Sequence, residues 1–160
     1  MQQLDKKDII ILELLQKNCR TKLTAIAKEA HISIDSVKKR IEKMIKNNIF
    51  YPKIQLRPRN FGFINVLTVN MRLQYDSEDE LLKFISYLKS HPKVVEVLQT
   101  VGEWDLSIVI ISKDAVEFGR IISEIRGKFG KIIVSVSTLL TVNSHKFEEY
   151  DVAAILGFNK

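Results

Sequence analysis

The sequence is poor in cysteine and in long apolar runs, and each shortage excludes a class of protein. Cys19 is the one cysteine among 160 residues, so neither an intrachain disulfide nor a zinc-binding cysteine cluster can form. No run of about 18 apolar residues occurs, and Met1 to Lys7 lead into no signal-type segment. We therefore expect a soluble protein of the reducing cytoplasm, with no membrane span.

Familiar enzyme motifs are missing as well. The chain has no GxSxG, P-loop or GxGxxG fingerprint. His31, His91 and His145 are far apart and have no carboxylate or cysteine at metal-ligand spacing. We predict a protein that is not an enzyme and that holds no metal and no cofactor.

Positive charge is concentrated in the first third of the chain. Residues 1–60 contain 14 Lys and Arg against 6 Asp and Glu, a net +8, whereas residues 61–160 contain 11 against 13, a net −2. A polyanion-binding segment joined to a near-neutral domain has this asymmetry, because attraction to phosphates needs a local field. A lysine-rich solvated face is the plainer alternative.

Apolar spacing predicts three helices in the basic segment. The first lies between Asp5 and Lys17, behind the acidic pair Asp5 and Asp8 that suits a helix beginning. A short helix over residues 23–30 and a tight turn lead to a third helix capped by Ser33. The apolar stripe of the third helix consists of Ile34, Val37, Ile41, Met44 and Ile45.

Beyond residue 64 the spacing predicts a βαββαβ order. Strands are expected over 66–73, 94–101, 105–111 and 132–142. One helix begins at Asp76-Ser77 and stops at Pro92, and the other ends at Gly127 or Gly130. In this arrangement two helices cover one face of an antiparallel sheet and leave the other for a partner. The first of these helices is expected to bury Leu81, Leu82, Ile85 and Leu88, and the apolar positions of the second are Val116, Ile121, Ile122 and Ile125.

The fold class is therefore α+β, a winged helix-turn-helix domain followed by a ferredoxin-like βαββαβ domain. We place the helix-turn-helix domain at residues 1–50 and the βαββαβ domain at 64–142. Residues 51–63 form a ribbon or linker, because the extended stretch there is interrupted by Pro52. The tail, 143–160, ends in an apolar stretch whose packing surface the sequence does not identify.

The third helix also has a basic face, which favours DNA binding. With Ser33 as its cap, this face lies where a recognition helix meets base edges and phosphates in the major groove. Arg40 would reach a guanine bidentately, and lysines suit phosphates. In the plainer interpretation Arg40 is a surface partner of Glu42 or Asp35. The predicted DNA-binding residues are Ser33, Ser36, Lys38, Lys39, Arg40 and Lys43.

These segments resemble the leucine-responsive regulators, the Lrp/AsnC or feast/famine family. Residues 4–12 (LDKKDIIIL), 16–20 (QKNCR) and 33–41 (SIDSVKKRI) match that family's LDxxDxxIL, QxNxR and SxxTVxxRI patterns. The resemblance covers roughly residues 4–142. Ser36 replaces the usual threonine and keeps its hydroxyl, and Asn48 replaces the usual glycine before the ribbon.

The resemblance implies an oligomeric regulator that responds to an amino acid or a related small effector. In that family the second domain, the amino-acid metabolism regulatory (RAM) domain, pairs its sheets into dimers and then larger assemblies, commonly octamers. Effectors bind between dimers near a GxxD loop. The implied effector residues here are Gly102, Glu103, Trp104, Asp105, Ser135 and Ser137.

The chemistry of the loop fits that role, although it has a plainer interpretation. Backbone N–H groups near Gly102 suit a carboxylate, and Asp105 or Glu103 suits an ammonium group. A hairpin glycine needs no ligand, however, and Trp104 can instead cover the sheet edge or fill a subunit interface.

Two other functions stay open. The sirohaem decarboxylases look similar in their two-domain plan, but they rely on histidines and arginines in the sheet domain. Here the second strand, VVEVLQTV, has no histidine near it beyond His91. An architectural DNA binder without an effector is the other alternative. The favoured function is a sequence-specific regulator that binds double-stranded DNA as a homodimer or a higher oligomer such as an octamer.

Overall fold

The helices and strands of the chain fall into two units in a computed structural model that describes residues 3–158. One unit comprises the residues up to Gln55 together with those from His145 onward, and the other comprises Leu56–Ser144. Residues 1, 2, 159 and 160, at the ends of the predicted helix-turn-helix and tail segments, lie outside the described residues.

The N-terminal part of the first unit contains three helices, as the apolar spacing predicts. They are α1 (Lys6–Lys17), α2 (Leu23–Glu29) and α3 (Ile34–Lys46). Their apolar stripes meet in one core, because helical spacing places residues three and four apart on the same face. The fully buried side chains of this core are Ile11, Ile26, Val37 and Met44.

Side-chain caps fix where α1 and α3 begin. The Asp5 carboxylate accepts hydrogen bonds from the backbone N–H groups of Lys7 and Asp8, at 2.9 Å each. Ser33 caps α3, as predicted, by accepting a hydrogen bond from the Ser36 N–H at 3.2 Å. These caps satisfy N–H groups that have no partner inside the helix.

The ends of α2 and α3 share one turn geometry with a left-handed residue. His31 follows α2 with a φ of 51°, and Asn48 follows α3 with a φ of 54°. At the first turn the Ile32 N–H donates to the Ala27 carbonyl at 3.0 Å, which closes a Schellman motif. Glycine usually occupies such a position, and asparagine tolerates it. Asn48 can therefore adopt this left-handed conformation at the position where the resembled family has glycine. His31 adopts it with strain in its backbone.

The segment after α3 is a linker and not a wing of paired strands. Residues 47–57 contain neither helix nor strand, and Pro52 within them has no N–H for a strand ladder. A 3-10 turn, Pro58–Phe61, follows and ends at Gly62, whose φ is 97°. The predicted ribbon therefore forms no strand in the described chain, and it contains a tight turn in which the Lys53 N–H donates to the Tyr51 carbonyl at 2.8 Å.

The second unit is built on a four-stranded antiparallel sheet. Its strands are β1 (Asn65–Leu73), β2 (Val94–Gln99), β3 (Leu106–Ser112) and β4 (Ile133–Leu140), in the spatial order β2-β3-β1-β4. The second strand ends two residues earlier than predicted. The Thr100 N–H still bonds to the Asp105 carbonyl at 3.0 Å, but the Asp105 N–H donates to the Met71 carbonyl and not back to β2, so the β2–β3 ladder stops there.

Two helices, α4 (Glu78–Ser90) and α5 (Ala115–Phe129), cover one face of this sheet. Leu82, which was predicted to be buried, is 52% exposed, and Val116, an apolar position of the second predicted helix, is 72% exposed. Leu82 is turned by about 100° from Leu81 on the helix, and Phe84 fills the core in its place. Gly130 caps the end of α5, whereas Gly127 lies inside the helix. The core consists of Val69, Met71, Phe84, Leu88, Leu106, Ile108, Ile110, Ile121, Ile125 and Ile132.

The opposite face of the sheet, which we call the open face, contributes nothing to that core. Strand alternation turns Thr68, Asn70 and Arg72 of β1 toward it. Leu98 of β2 and Leu139 of β4 are exposed on the open face by 53% and 57%. The unit therefore has one buried and one mixed polar and apolar face.

The apolar tail packs against α1 in the first unit. It contains a short helix, α6 (Val152–Ile155), whose Ala153 is buried. The Gln16 side chain donates to the Tyr150 carbonyl at 2.7 Å and accepts from the Tyr150 N–H at 3.1 Å. The packing surface that the sequence left unidentified is therefore α1.

Candidate nucleic-acid interface and effector site

Four of the six predicted DNA-binding residues lie together on one face of α3. Successive residues of a helix are turned by about 100°, so Ser36, Lys39, Arg40 and Lys43 fall within one sector. They line an open cleft of about 300 Å³. The other residues of this cleft are Gln3, Asp5 and Asp8 from the beginning of the chain.

Arg40 is engaged in a double ion pair across this cleft. Its Nη1 lies 2.8 Å from Asp5 Oδ2 and 2.7 Å from Asp8 Oδ1. The Asp8 side chain is only 6% exposed and that of Arg40 is 28% exposed. The plainer interpretation of Arg40 therefore named the wrong partners, because the guanidinium pairs with α1 and not with Glu42 or Asp35.

The contacts of this cluster favour the charged forms of Arg40 and Asp5. The hydrogen bond to Asp8 raises the pKa of Arg40 above its ordinary value, and the bond to Asp5 adds to that effect. Burial acts to raise the pKa of Asp5, but bonds from the Asp8 N–H and from Arg40 outweigh it, so the pKa lies below its usual value. The Asp8 carboxylate is nearly buried, so leaving it without Arg40 would be unfavourable. A guanine contact made by Arg40 would have to compensate for that loss.

The cationic lysines of the face are free, unlike Arg40. Among the described residues, the side-chain ammonium groups of Lys39 and Lys43 have no hydrogen-bond or ion-pair partner, and both side chains are exposed. The Ser33 oxygen accepts the cap bond from Ser36 but keeps its O–H to donate. Lys38 is turned by about 160° from Ser36 around the helix, so it lies apart from the cleft.

The predicted effector loop between β2 and β3 is anchored to β1 by hydrogen bonds. Gly102 has a φ of 136°, a conformation that L side chains rarely adopt, which explains the glycine. Asp105 Oδ2 accepts the Leu73 N–H at 2.7 Å, and its own N–H donates to Met71. This carboxylate oxygen is thus committed to the fold, while the neighbouring Glu103 side chain is exposed.

The two predicted serines of β4 lie on the open face. Ser135 is paired in register with Arg72 of β1, and Ser137 with Asn70. The Arg72 guanidinium donates to the Glu103 carbonyl at 3.1 and 3.3 Å. Arg72 therefore links the loop to the strand beside Ser135, so loop and serines belong to one end of the open face.

Two family models match the chain. A model of the AsnC-type helix-turn-helix domain matches residues 4–45. A model of the Lrp/AsnC ligand binding domain matches residues 66–149, more than half of the sequence. The chain belongs to the Lrp/AsnC family of transcriptional regulators.

Relatives of this Lrp/AsnC regulator resemble it over nearly its whole length. The HTH-type transcriptional regulator LysM of Sulfurisphaera tokodaii is 31% identical over 157 residues, covering 89% of this chain and 99% of the relative. An AsnC family regulator from Agrobacterium tumefaciens has a TM-score of 0.83 at 21% identity, covering 95% and 99% of the two chains. A Neisseria meningitidis regulator solved in complex with L-Met has a TM-score of 0.79 at 18% identity, covering 91% and 94%. The predicted family and fold are confirmed.

Sequence reasoning missed the structural contacts of four polar residues that organise the two regions of the Lrp/AsnC regulator. Asp5 and Asp8 were interpreted only as a helix-beginning signal, yet both also bind Arg40. Arg72 was not singled out, although its place in an alternating strand put it on the open face. Asn70 of the same face accepts a hydrogen bond from Ser107 at 2.8 Å.

Between residues 3 and 158, no three His, Cys, Asp or Glu side chains are grouped so that they could hold a metal ion. No helix in that range is both long and apolar enough to cross a membrane.

Proposed function

We propose that this Lrp/AsnC regulator binds specific double-stranded DNA sites through α3, as an oligomer whose assembly an amino acid or related small carboxylate modulates. The observation that carries the proposal is the pair of free cations, Lys39 and Lys43, beside Ser36 on one face of α3. Phosphates attract such cations from a distance, and a helix of this kind fits the major groove.

The residues of α3 then have separate tasks. Lys39 and Lys43 contact phosphates, and the Ser36 hydroxyl contacts a base edge. Ser33 donates its free O–H to a phosphate near the beginning of the helix. Lys38, apart from the cleft, contacts only the flanking backbone. Arg40 shares the face, but its guanidinium is already bonded to Asp5 and Asp8.

The open face suits pairing with a second copy of the chain. Exposed Leu98 and Leu139 would leave water on association, and the Asn70–Ser107 hydrogen bond satisfies polar groups between them. A two-fold pair of sheets presents two copies of α3 to successive major grooves on a roughly palindromic site. Further pairing of dimers gives the higher oligomer, such as an octamer.

An amino-acid effector fits the end of the open face that contains the loop. Backbone N–H groups near Gly102 and the Arg72 cation suit a carboxylate, and the exposed Glu103 suits an ammonium group better than the committed Asp105. Trp104, Ser135 and Ser137 complete the proposed pocket between dimers. The L-Met complex of the structurally similar Neisseria meningitidis protein supports this class of ligand.

We also propose that the chain acts without catalysis and in the cytoplasm. Its relatives of known name are transcriptional regulators, not enzymes. Its ligand would thus shift the populations of assemblies and change their fit to DNA.

The DNA proposal is tested by fluorescence anisotropy on labelled duplex fragments between 50 and 200 mM salt, a range chosen because phosphate contacts dominate there. Lys39→Gln and Lys43→Gln should each reduce the slope of log affinity against log salt by about 0.9. Lys83→Gln, which removes the same charge from an exposed site on α4, should leave the slope unchanged. Equal slopes for all variants would remove α3 from the contact set.

The effector proposal is tested by light scattering with each common amino acid in turn. An effector should change the mass of the wild-type assembly. Gly102→Asp should abolish that response, because it strains the φ of 136° and places a carboxylate in the proposed carboxylate pocket. Val101→Asp adds the same charge one residue earlier and should retain the response. No response to any amino acid would contradict this part of the proposal.

A further inference from the structure

Arg40 joins the beginning of α1 to the second turn of α3 by binding two carboxylates, Asp5 and Asp8, whose oxygens all accept hydrogen bonds. Asp5 uses Oδ1 to cap α1 and Oδ2 to bind Arg40. Asp8 uses Oδ2 to accept the Asp5 N–H and Oδ1 to bind Arg40. Each of the four carboxylate oxygens therefore has a donor, and the Arg40 Nη1 is the one shared between the two helices.

This arrangement makes Arg40 costly to withdraw. The Asp8 carboxylate is nearly buried, and a buried carboxylate without a cation is strongly unfavourable. Both ion pairs are made by Nη1, so a guanine contact that uses Nη1 would require Arg40 to leave both aspartates. The pair thus competes with base reading for this nitrogen and holds the guanidinium in one orientation.

We propose that Arg40 is a positioning residue for DNA binding and does not itself read a base. It fixes the rotation of α3 against the beginning of α1, so that Ser36, Lys39 and Lys43 on the same face are presented to DNA. The inference rests on the proposed function, because it assumes that this face meets DNA.

Arg40 has a second effect through charge. Asp5 and Asp8 line the same cleft as the two free lysines. Two unpaired carboxylates there would repel phosphates and attract the lysines inward. By holding both carboxylates, Arg40 leaves Lys39 and Lys43 free for an external anion.

The test compares Arg40→Gln, Arg40→Lys and Asp8→Asn on DNA selected by the wild-type chain. Arg40→Gln should bind roughly tenfold more weakly, because the unpaired carboxylates both release α3 and repel DNA. The base preferences that survive selection should be those of the wild type. Arg40→Lys keeps a cation beside Asp5 and Asp8 but cannot read guanine bidentately, so it should recover most of the affinity.

Asp8→Asn gives the sharpest contrast between positioning and base reading. If the pair positions α3, this variant binds more weakly even though it removes a negative charge from a face that meets a polyanion. If Arg40 instead reads a base, Asp8→Asn frees it and binding is equal or tighter. Lys39→Gln is the matched control, since it should lower the salt slope without changing base preference.

The outcomes separate this inference from the proposed function. Two results together would overturn the positioning role alone. In one, Arg40→Gln loses its preference at one base position of each half-site; in the other, Asp8→Asn binds DNA no more weakly than the wild type. Failure of the wild type to select any DNA would overturn both. Circular dichroism at the assay temperature checks folding, and if Arg40→Gln is unfolded, the Asp8→Asn and Arg40→Lys results decide the question.

Discussion

Replacing Gln16 with methionine should loosen the C-terminal tail from α1 without disturbing α1 itself. Methionine has a similar length and helix propensity, but it cannot make the two hydrogen bonds to the Tyr150 backbone. A hydrogen bond contributes about 0.5–1.5 kcal/mol net. Because both bonds are exposed to water, we take the lower end and expect a loss of about 1 kcal/mol in total.

The loss is measured most directly by hydrogen exchange of the Tyr150 amide, which donates to Gln16. A change of about 1 kcal/mol in local opening should speed exchange roughly fivefold. Lys17→Met places a methionine at the neighbouring exposed position and should leave this amide unchanged. Equal exchange rates in wild type and Gln16→Met would refute the assignment of the tail to α1.

The other predictions concern strain, the loop and pH. His31→Gly should raise the free energy of unfolding of the helical unit by about 1 kcal/mol, because glycine adopts a φ of 51° without steric cost; a urea midpoint that does not rise would contradict the strain. Asp105→Ala should destabilise the sheet unit by about 1–3 kcal/mol by leaving the part-buried Leu73 N–H without its acceptor, and Asp105→Asn should cost less; equal losses would argue against this bond. The Asp5 pKa lies below 3.8 in the folded chain, so its stabilising effect is present above that pH and is lost as the pH falls through the lowered value. In Asp5→Asn the free energy of unfolding should therefore fall less steeply as the pH drops below about 4. An unchanged pH dependence in this range would count against the ion pair between Asp5 and Arg40.

Features encoded by neighbouring residues could be predicted from the sequence. The beginning of α3 follows from Ser33, and the end of α4 follows from Pro92, because caps and helix stops act within a few residues. The βαββαβ order of strands and helices along the chain likewise follows from the spacing of apolar residues and from short turns. Leu82 was placed wrongly because several apolar residues competed for one stripe, and only packing against the sheet decided for Phe84.

Contacts between distant residues could not be predicted in this way. Arg40 meets Asp8 and Asp5 across 32 and 35 positions of sequence. Its charge and position on α3 were evident, but a basic face is equally consistent with binding DNA or with pairing internally. The fold favours internal pairing for Arg40, because the packing of α1 against α3 brings the nearly buried Asp8 carboxylate within 2.7 Å of the Arg40 guanidinium. The link from Arg72 to the effector loop, across 31 positions, was unpredictable for the same reason.

The measurement that tests the central claim most directly is selection of bound fragments from random genomic DNA by the full chain, repeated at rising salt and followed by sequencing. The account predicts that the retained fragments share a two-fold symmetric motif with half-sites about one helical turn apart. It also predicts that Lys39→Gln shifts retention to lower salt without altering the motif. No retention at low salt, or retention without any shared motif, would contradict sequence-specific binding through α3.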